Sequence, residues 1–192
     1  MNIVDRVRNI ILKPKEEWLV IANENDNFGS IVRLYFLPLA ASAAIATFIG
    51  YTYIGVDAVF FKLKGFSWGI SVAIIQFVSV SISFIVCTYV VDILSAYFNA
   101  EKNINRSAQL VAYSLTPGFV GGLLAVIPQL SWIGSLFGLY GIYLFYLGLG
   151  IVKNVSDDKK IVYMILTVVA FIVLYLLIGG TLGSLLSLER YR

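Results

Sequence analysis

Histidine is absent from the 192 residues of this chain, and cysteine occurs once, at Cys87. That excludes a disulfide framework, a zinc site built from Cys and His, and any Cys–His or Ser–His nucleophile. Charge is scarce as well: 13% of the residues are Asp, Glu, Lys or Arg, about half the share in soluble domains. No glycine-rich phosphate loop precedes a helix, and no basic patch is interleaved with aromatics in a polar segment. Nucleotide hydrolysis and nucleic-acid binding therefore have no support. A single acid, Asp92, is set inside an apolar run, so the paired carboxylates of an aspartyl dyad are missing. The inventory is that of a non-enzymatic protein without a cofactor, in which Cys87 reads as a small packed residue.

What the sequence has in abundance is hydrocarbon: 59% of its residues are hydrophobic, and its mean hydropathy is +0.88. The 46 residues from Ser107 to Val152 contain no Asp, Glu, Lys or Arg. At about 1.5 Å per residue they are too long for one crossing of a bilayer core of about 30 Å and suit two. The turn of this membrane hairpin falls at Pro128 to Trp132. Small residues recur on both limbs, as Ser114, Gly118, Gly121 and Ala125 on the first and Gly134, Gly138, Gly141 and Gly148 on the second. Such stripes let helix backbones approach closely in lipid, so the limbs are expected to pack on each other. Pro117, mid-limb, predicts a kink, as does Pro38 in the first span.

The fold class is all-α: a polytopic helical membrane protein with five transmembrane helices and an N-terminal amphipathic helical segment. Residues 1–29 form that segment. Ile3, Val4, Val7, Ile10 and Ile11 share one helical face; Pro14 starts a second short helix, placing Trp18, Leu19, Ile21 and Ala22 on the membrane as an interfacial element. The alternative is a helical cap packed on the spans. Residues 30–188 hold the spans, at about 34–54, 68–98, 107–130, 133–152 and 161–186. The first apolar run begins near Leu34 and is longer than a signal-peptide core, so no cleaved leader is expected. The loop from Gly55 to Ser67 carries Phe60, Phe61 and Phe66, which predict a segment hugging the interface.

Five crossings put the termini on opposite sides. Arg6, Arg8, Lys13, Lys15, Arg33, Lys102, Arg106, Lys153, Lys159 and Lys160 fall on one side; Lys62, Lys64, Arg190 and Arg192 fall on the other. The positive-inside rule makes the N-terminus cytoplasmic and the C-terminus external. At the cytoplasmic depth Asp92 is grouped with Gln109, Tyr113 and Thr116, and with Tyr143 and Tyr146 on the fourth span. Arg106 and Lys153 are near enough to be its counter-ions. A carboxylate near the bilayer centre costs about 2.5 to 3.5 kcal/mol. The cluster reads either as a proton, cation or headgroup site or as a structural network.

The runs AYSLTPGFVGGLLAVIP (Ala112 to Pro128) and LYGIYLFYLGLG (Leu139 to Gly150), with ILKPKEEW (Ile11 to Trp18) before them, resemble the Yip-domain family of five-span membrane proteins, in its bacterial type. The Asp-Leu-Tyr-Gly-Pro motif of many eukaryotic relatives is absent. The resemblance implies a membrane scaffold or interaction partner in membrane organisation or trafficking, in a bacterial inner membrane rather than the Golgi or endoplasmic reticulum. The partners would be membrane lipids and other membrane proteins or further copies of the chain. A Rab-type GTPase joins them only if the role of eukaryotic members carries over. The alternative function is a small transporter or lipid-handling protein working through the polar site around Asp92.

Overall fold

A computed structural model describes residues 2–57 and 62–188. Two ten-residue helices open the chain, α1 (Ile3–Leu12) and α2 (Pro14–Asn23). Asn2 caps the first by accepting from the Val4 N–H, and Pro14 begins the second, where its missing N–H is harmless. Five helices long and apolar enough to cross a membrane follow: Phe28–Ile54, Phe66–Ser95, Ile104–Val126, Pro128–Val152 and Asp157–Ser184. The second starts at Phe66 and ends at Ser95, against expected bounds near 68 and 98; Asn99 then adopts a positive φ of 53° that turns the chain. Between the first two spans lies a small antiparallel ladder pairing Val56 with Leu63 and Asp57 with Lys62. Phe60, Phe61, Arg190 and Arg192 lie outside the described residues.

Both prolines break their spans, in different ways. Ahead of Pro38 the helix widens over Val32–Phe36, where the Leu37 N–H reaches back five residues to the Val32 carbonyl. Such a π-turn removes the clash that a proline ring would make with an α-helical carbonyl. The third span stops at Ser114 and restarts at Thr116, with Leu115 between the halves and Pro117 in the new first turn. A proline there interrupts the ladder where a fresh helical start needs no N–H.

The core lies at the crossing of the first three spans. Phe36 stacks on Phe84 with ring centroids 4.2 Å apart and meets Phe119 edge-on at 5.5 Å. The last span packs chiefly against the second; only 11% of its most apolar window is buried, which leaves it the most lipid-facing of the five.

The N-terminal helices lie against the bundle. Ile10, Trp18 and Ile21 are fully buried, whereas the sequence places Trp18 and Ile21 in lipid. Gly148 is the reason: with no side chain of its own, it leaves room for the Trp18 ring, which a Cβ would meet at 2.9 Å. The Tyr140 hydroxyl donates to the Ile11 carbonyl at 2.8 Å, so the end of α1 reaches alongside the fourth span rather than lying flat across its tip. Val4, Leu12, Leu19 and Val20 stay exposed.

Candidate functional site

The polar residues grouped by depth in the sequence separate into two clusters. In the first, the Lys153 ammonium, fully buried just beyond the fourth span, sits 3.9 Å from Asp92 Oδ1. It donates to Ser107 Oγ at 2.9 Å, and Ser107 in turn donates to Asp92 Oδ1 at 3.3 Å. Next to it, the Tyr163 hydroxyl lies 3.1 Å from Ser95 Oγ and donates to the Val91 carbonyl. Burial pulls the Lys153 pKa down to about 8, partly offset by the Asp92 and Glu101 carboxylates. Lys153 is one of the two counter-ions expected for Asp92. The other hydroxyls sharing the Asp92 face, Ser81 and Thr88, bond back to their own helix at the Phe77 and Phe84 carbonyls.

Gln109, Tyr113 and Thr116 belong to the second cluster, organised by α1 and α2. Arg6, 5% exposed, donates to Glu17 Oε1 at 2.6 Å and to both oxygens of Glu24 at 2.5 and 2.6 Å. Its guanidinium carbon lies 5.4 Å from the centroid of the Tyr113 ring. Trp18 and Tyr35 meet Tyr113 edge-on at 6.2 and 4.5 Å, and the Tyr35 hydroxyl is 2.7 Å from Thr116 Oγ1. Arg106 donates to the Ile21 and Glu24 carbonyls and to Gln109 Oε1 at 3.1 to 3.2 Å, fastening the end of α2 to the third span. Tyr143 and Tyr146 join neither cluster: Tyr143 is exposed beside Tyr140, and Tyr146 lies under Lys160 at 5.7 Å.

Arg6 and Glu17 escape a sequence reading because both sit among the polar residues of short helices, where charge ordinarily faces water. The available signal is their spacing: Arg6 and Glu17 lie within two helical turns on either side of the break at Leu12 and Lys13, so a helical hairpin brings them close.

The small-residue stripe is divided too. Gly121 and Gly134 touch backbone to backbone, a Cβ on either falling 2.3 Å from the other's carbonyl oxygen, and Gly141 meets the Ser114 carbonyl the same way. Gly118 and Gly138 meet nothing within 4 Å of where a Cβ would be. They line a chamber of about 520 Å³ with Cys87, Val111, Phe119 and Phe145. A second chamber of about 410 Å³ is lined by Thr47, Tyr51 and Ser131 and shares Gln76, Gly118, Ser135, Gly138 and Tyr175 with the first. Neither is lined by Asp92.

Set beside known proteins, the chain matches the Yip1 domain over residues 8–178. It is 27% identical over 163 residues to the inner membrane protein YohC of Escherichia coli strain K12, covering 81% of this chain and 83% of that protein. The same figures hold for YohC of strain O6:H1. No solved structure matches.

Proposed function

Because this chain belongs to the Yip1 domain family, we propose that it acts as a non-enzymatic membrane scaffold or interaction partner in a bacterial inner membrane, its N-terminus cytoplasmic and its C-terminus outside. The observation that carries this reading is that the charged groups set into the bundle, buried Arg6, Glu17 and Lys153 and partly buried Asp92, are tied to partners. Asp92 is held by Lys153 and Ser107, and Arg6 by Glu17 and Glu24. A transporter working through Asp92 would be favoured by a chamber lined by it, and neither of the two chambers described above is.

The cation distribution supports the orientation, and so does the packing at one end of the bundle. There the α2 terminus, the Asn103 to Arg106 segment and Lys153 interlock: Arg106 bonds the Glu24 carbonyl, and the Glu101 N–H bonds the Lys153 carbonyl. The inner-membrane location rests on the relatives. Expected partners are lipids and other membrane proteins or further copies of the chain.

Photo-crosslinking residues at exposed Leu19 and Val20 should capture a defined protein in native membranes. Repeated recovery of lipid alone would sink the scaffold reading.

A further inference from the structure

The fourth and fifth spans touch where their loop joins them. There Lys160 lies over Tyr146, and its ammonium would be 2.3 Å from a Cβ on Gly150. Farther along, both spans line the first chamber, the fourth with Leu139 and Ile142, the fifth with Val168 and Ile172. Leu139 is 63% and Ile172 49% exposed, while the opposite wall, with Ala40, Cys87 and Val111, is buried. The chamber thus opens sideways, through a mouth near the middle of two membrane spans. What enters there comes from the hydrocarbon, not from water.

Two lining groups are polar donors left over by the fold. Ser114 is 6% exposed and its Oγ has no hydrogen-bond partner among the described residues. The Gln76 carbonyl accepts from Thr47 Oγ1 at 2.5 Å, which leaves its amide N–H groups to donate. Ser131 Oγ, on the second chamber, is likewise buried without a partner. A buried polar group without a partner is costly, so donors of this kind call for an acceptor. No Lys, Arg, Asp or Glu lines either chamber, so nothing there selects a charge. Apolar walls with a few convergent donors are the usual make-up of a small-molecule site.

We propose that the chambers hold the uncharged, carbonyl-bearing portion of a lipid that enters between the fourth and fifth spans. Its tail lies along the space that Gly118 and Gly138 leave open, and its carbonyl oxygens accept from Ser114 and Gln76. An acyl ester of a phospholipid and the ring carbonyl of a prenylquinone share this chemistry. The inference stands apart from the scaffold reading and holds whether or not a protein partner is found.

The test uses the full chain reconstituted in phosphatidylcholine vesicles with a trace of diazirine-labelled phospholipid or, in a second arm, diazirine-labelled prenylquinone, and maps the adducts by mass spectrometry. One of the probes should label chamber residues such as Val111 and Phe119 in preference to outward residues such as Leu176 and Leu177; which probe does so identifies the source. Gly138→Leu fills the chamber where no neighbour stands in the way and should abolish that labelling. Ser114→Ala removes a hydroxyl without a hydrogen-bond partner among the described residues; it should leave thermal stability unchanged or higher and lower chamber labelling by about five-fold or more. Labelling confined to the outward residues in both arms, or chamber labelling that survives Gly138→Leu, overturns the site. Undiminished labelling of Ser114→Ala overturns the carbonyl contact.

Discussion

A guanidinium sealed between carboxylates makes its neighbours depend on it. Removing one member of such a buried pair strands the other, at a cost of about 3–5 kcal/mol, whereas replacing both by apolar groups of similar size is close to neutral. Arg6→Ala is therefore expected to lower stability by about that amount, and Arg6→Met with Glu17→Leu to recover most of it, in unfolding measurements on detergent-solubilised protein. Lys153 adds a pH dependence whose sign is fixed. Its folded pKa of about 8 lies below the ordinary 10.5, so above pH 8 the unfolded chain binds the extra proton and stability rises with pH until the unfolded lysine also titrates. Unfolding midpoints should climb from pH 8 to 9.5 in the native protein relative to Lys153→Met; parallel profiles would remove Lys153 as the source. Asp92→Asn should leave ion flux in liposomes unchanged, and a lost flux would restore Asp92 as a transport residue. Asp92 is visible in the sequence because an acid in an apolar run stands out. Its partnership with Ser107 is not, because a serine at the start of a span is equally at home facing lipid, protein or its own backbone. The sequence groups Gln109, Tyr113 and Thr116 with Asp92 because depth is legible; which way each faces depends on α1 and α2, whose docking leaves no periodic trace.

At the scale of elements, period identifies the third and fourth spans as neighbours, but it does not say which glycines touch. Residues seven apart stay in touch across the break at Leu115, Ser114 with Gly141 and Gly121 with Gly134, while Gly118 and Gly138, each four residues on from a touching residue, are rotated off that line and open into the chamber. Alanine substitution reads this difference directly. Gly121→Ala forces a Cβ against backbone and should cost about 1–3 kcal/mol. Gly138→Ala has room and should be neutral or stabilising by about 0.5–1 kcal/mol, through the lost flexibility of glycine in a helix. Equal losses in thermal unfolding would mean that the stripe packs along its whole length. The N-terminal helices illustrate the opposite limit of legibility. Their apolar face is plain in the pattern Ile3, Val7, Ile10, but a pattern cannot tell a lipid surface from the flank of a helix bundle. The gap beside Gly148 that receives Trp18 decides the matter, and it lies 130 residues away in sequence.

For the molecule as a whole, five helices suited to crossing a membrane were the most legible feature, because hydrocarbon tolerates so few sequences: long apolar runs, separated here by Gly55 to Gly65, Asn99 to Asn103 and Lys153 to Ser156. The chambers were the least legible, since they arise from the divergence of two neighbouring spans and not from any run of residues. The account rests on an odd number of crossings, with the α1–α2 pair and the Asp92–Lys153 cluster gathered on the cytoplasmic side. Single cysteines introduced as Lys15→Cys and Ser67→Cys in a Cys87→Ala background, treated with a membrane-impermeant maleimide in intact spheroplasts, test it most directly. Ser67→Cys, exposed in the first turn of the second span, should react at once, and Lys15→Cys only after the membrane is opened. Reaction of both positions from the same side would contradict the arrangement.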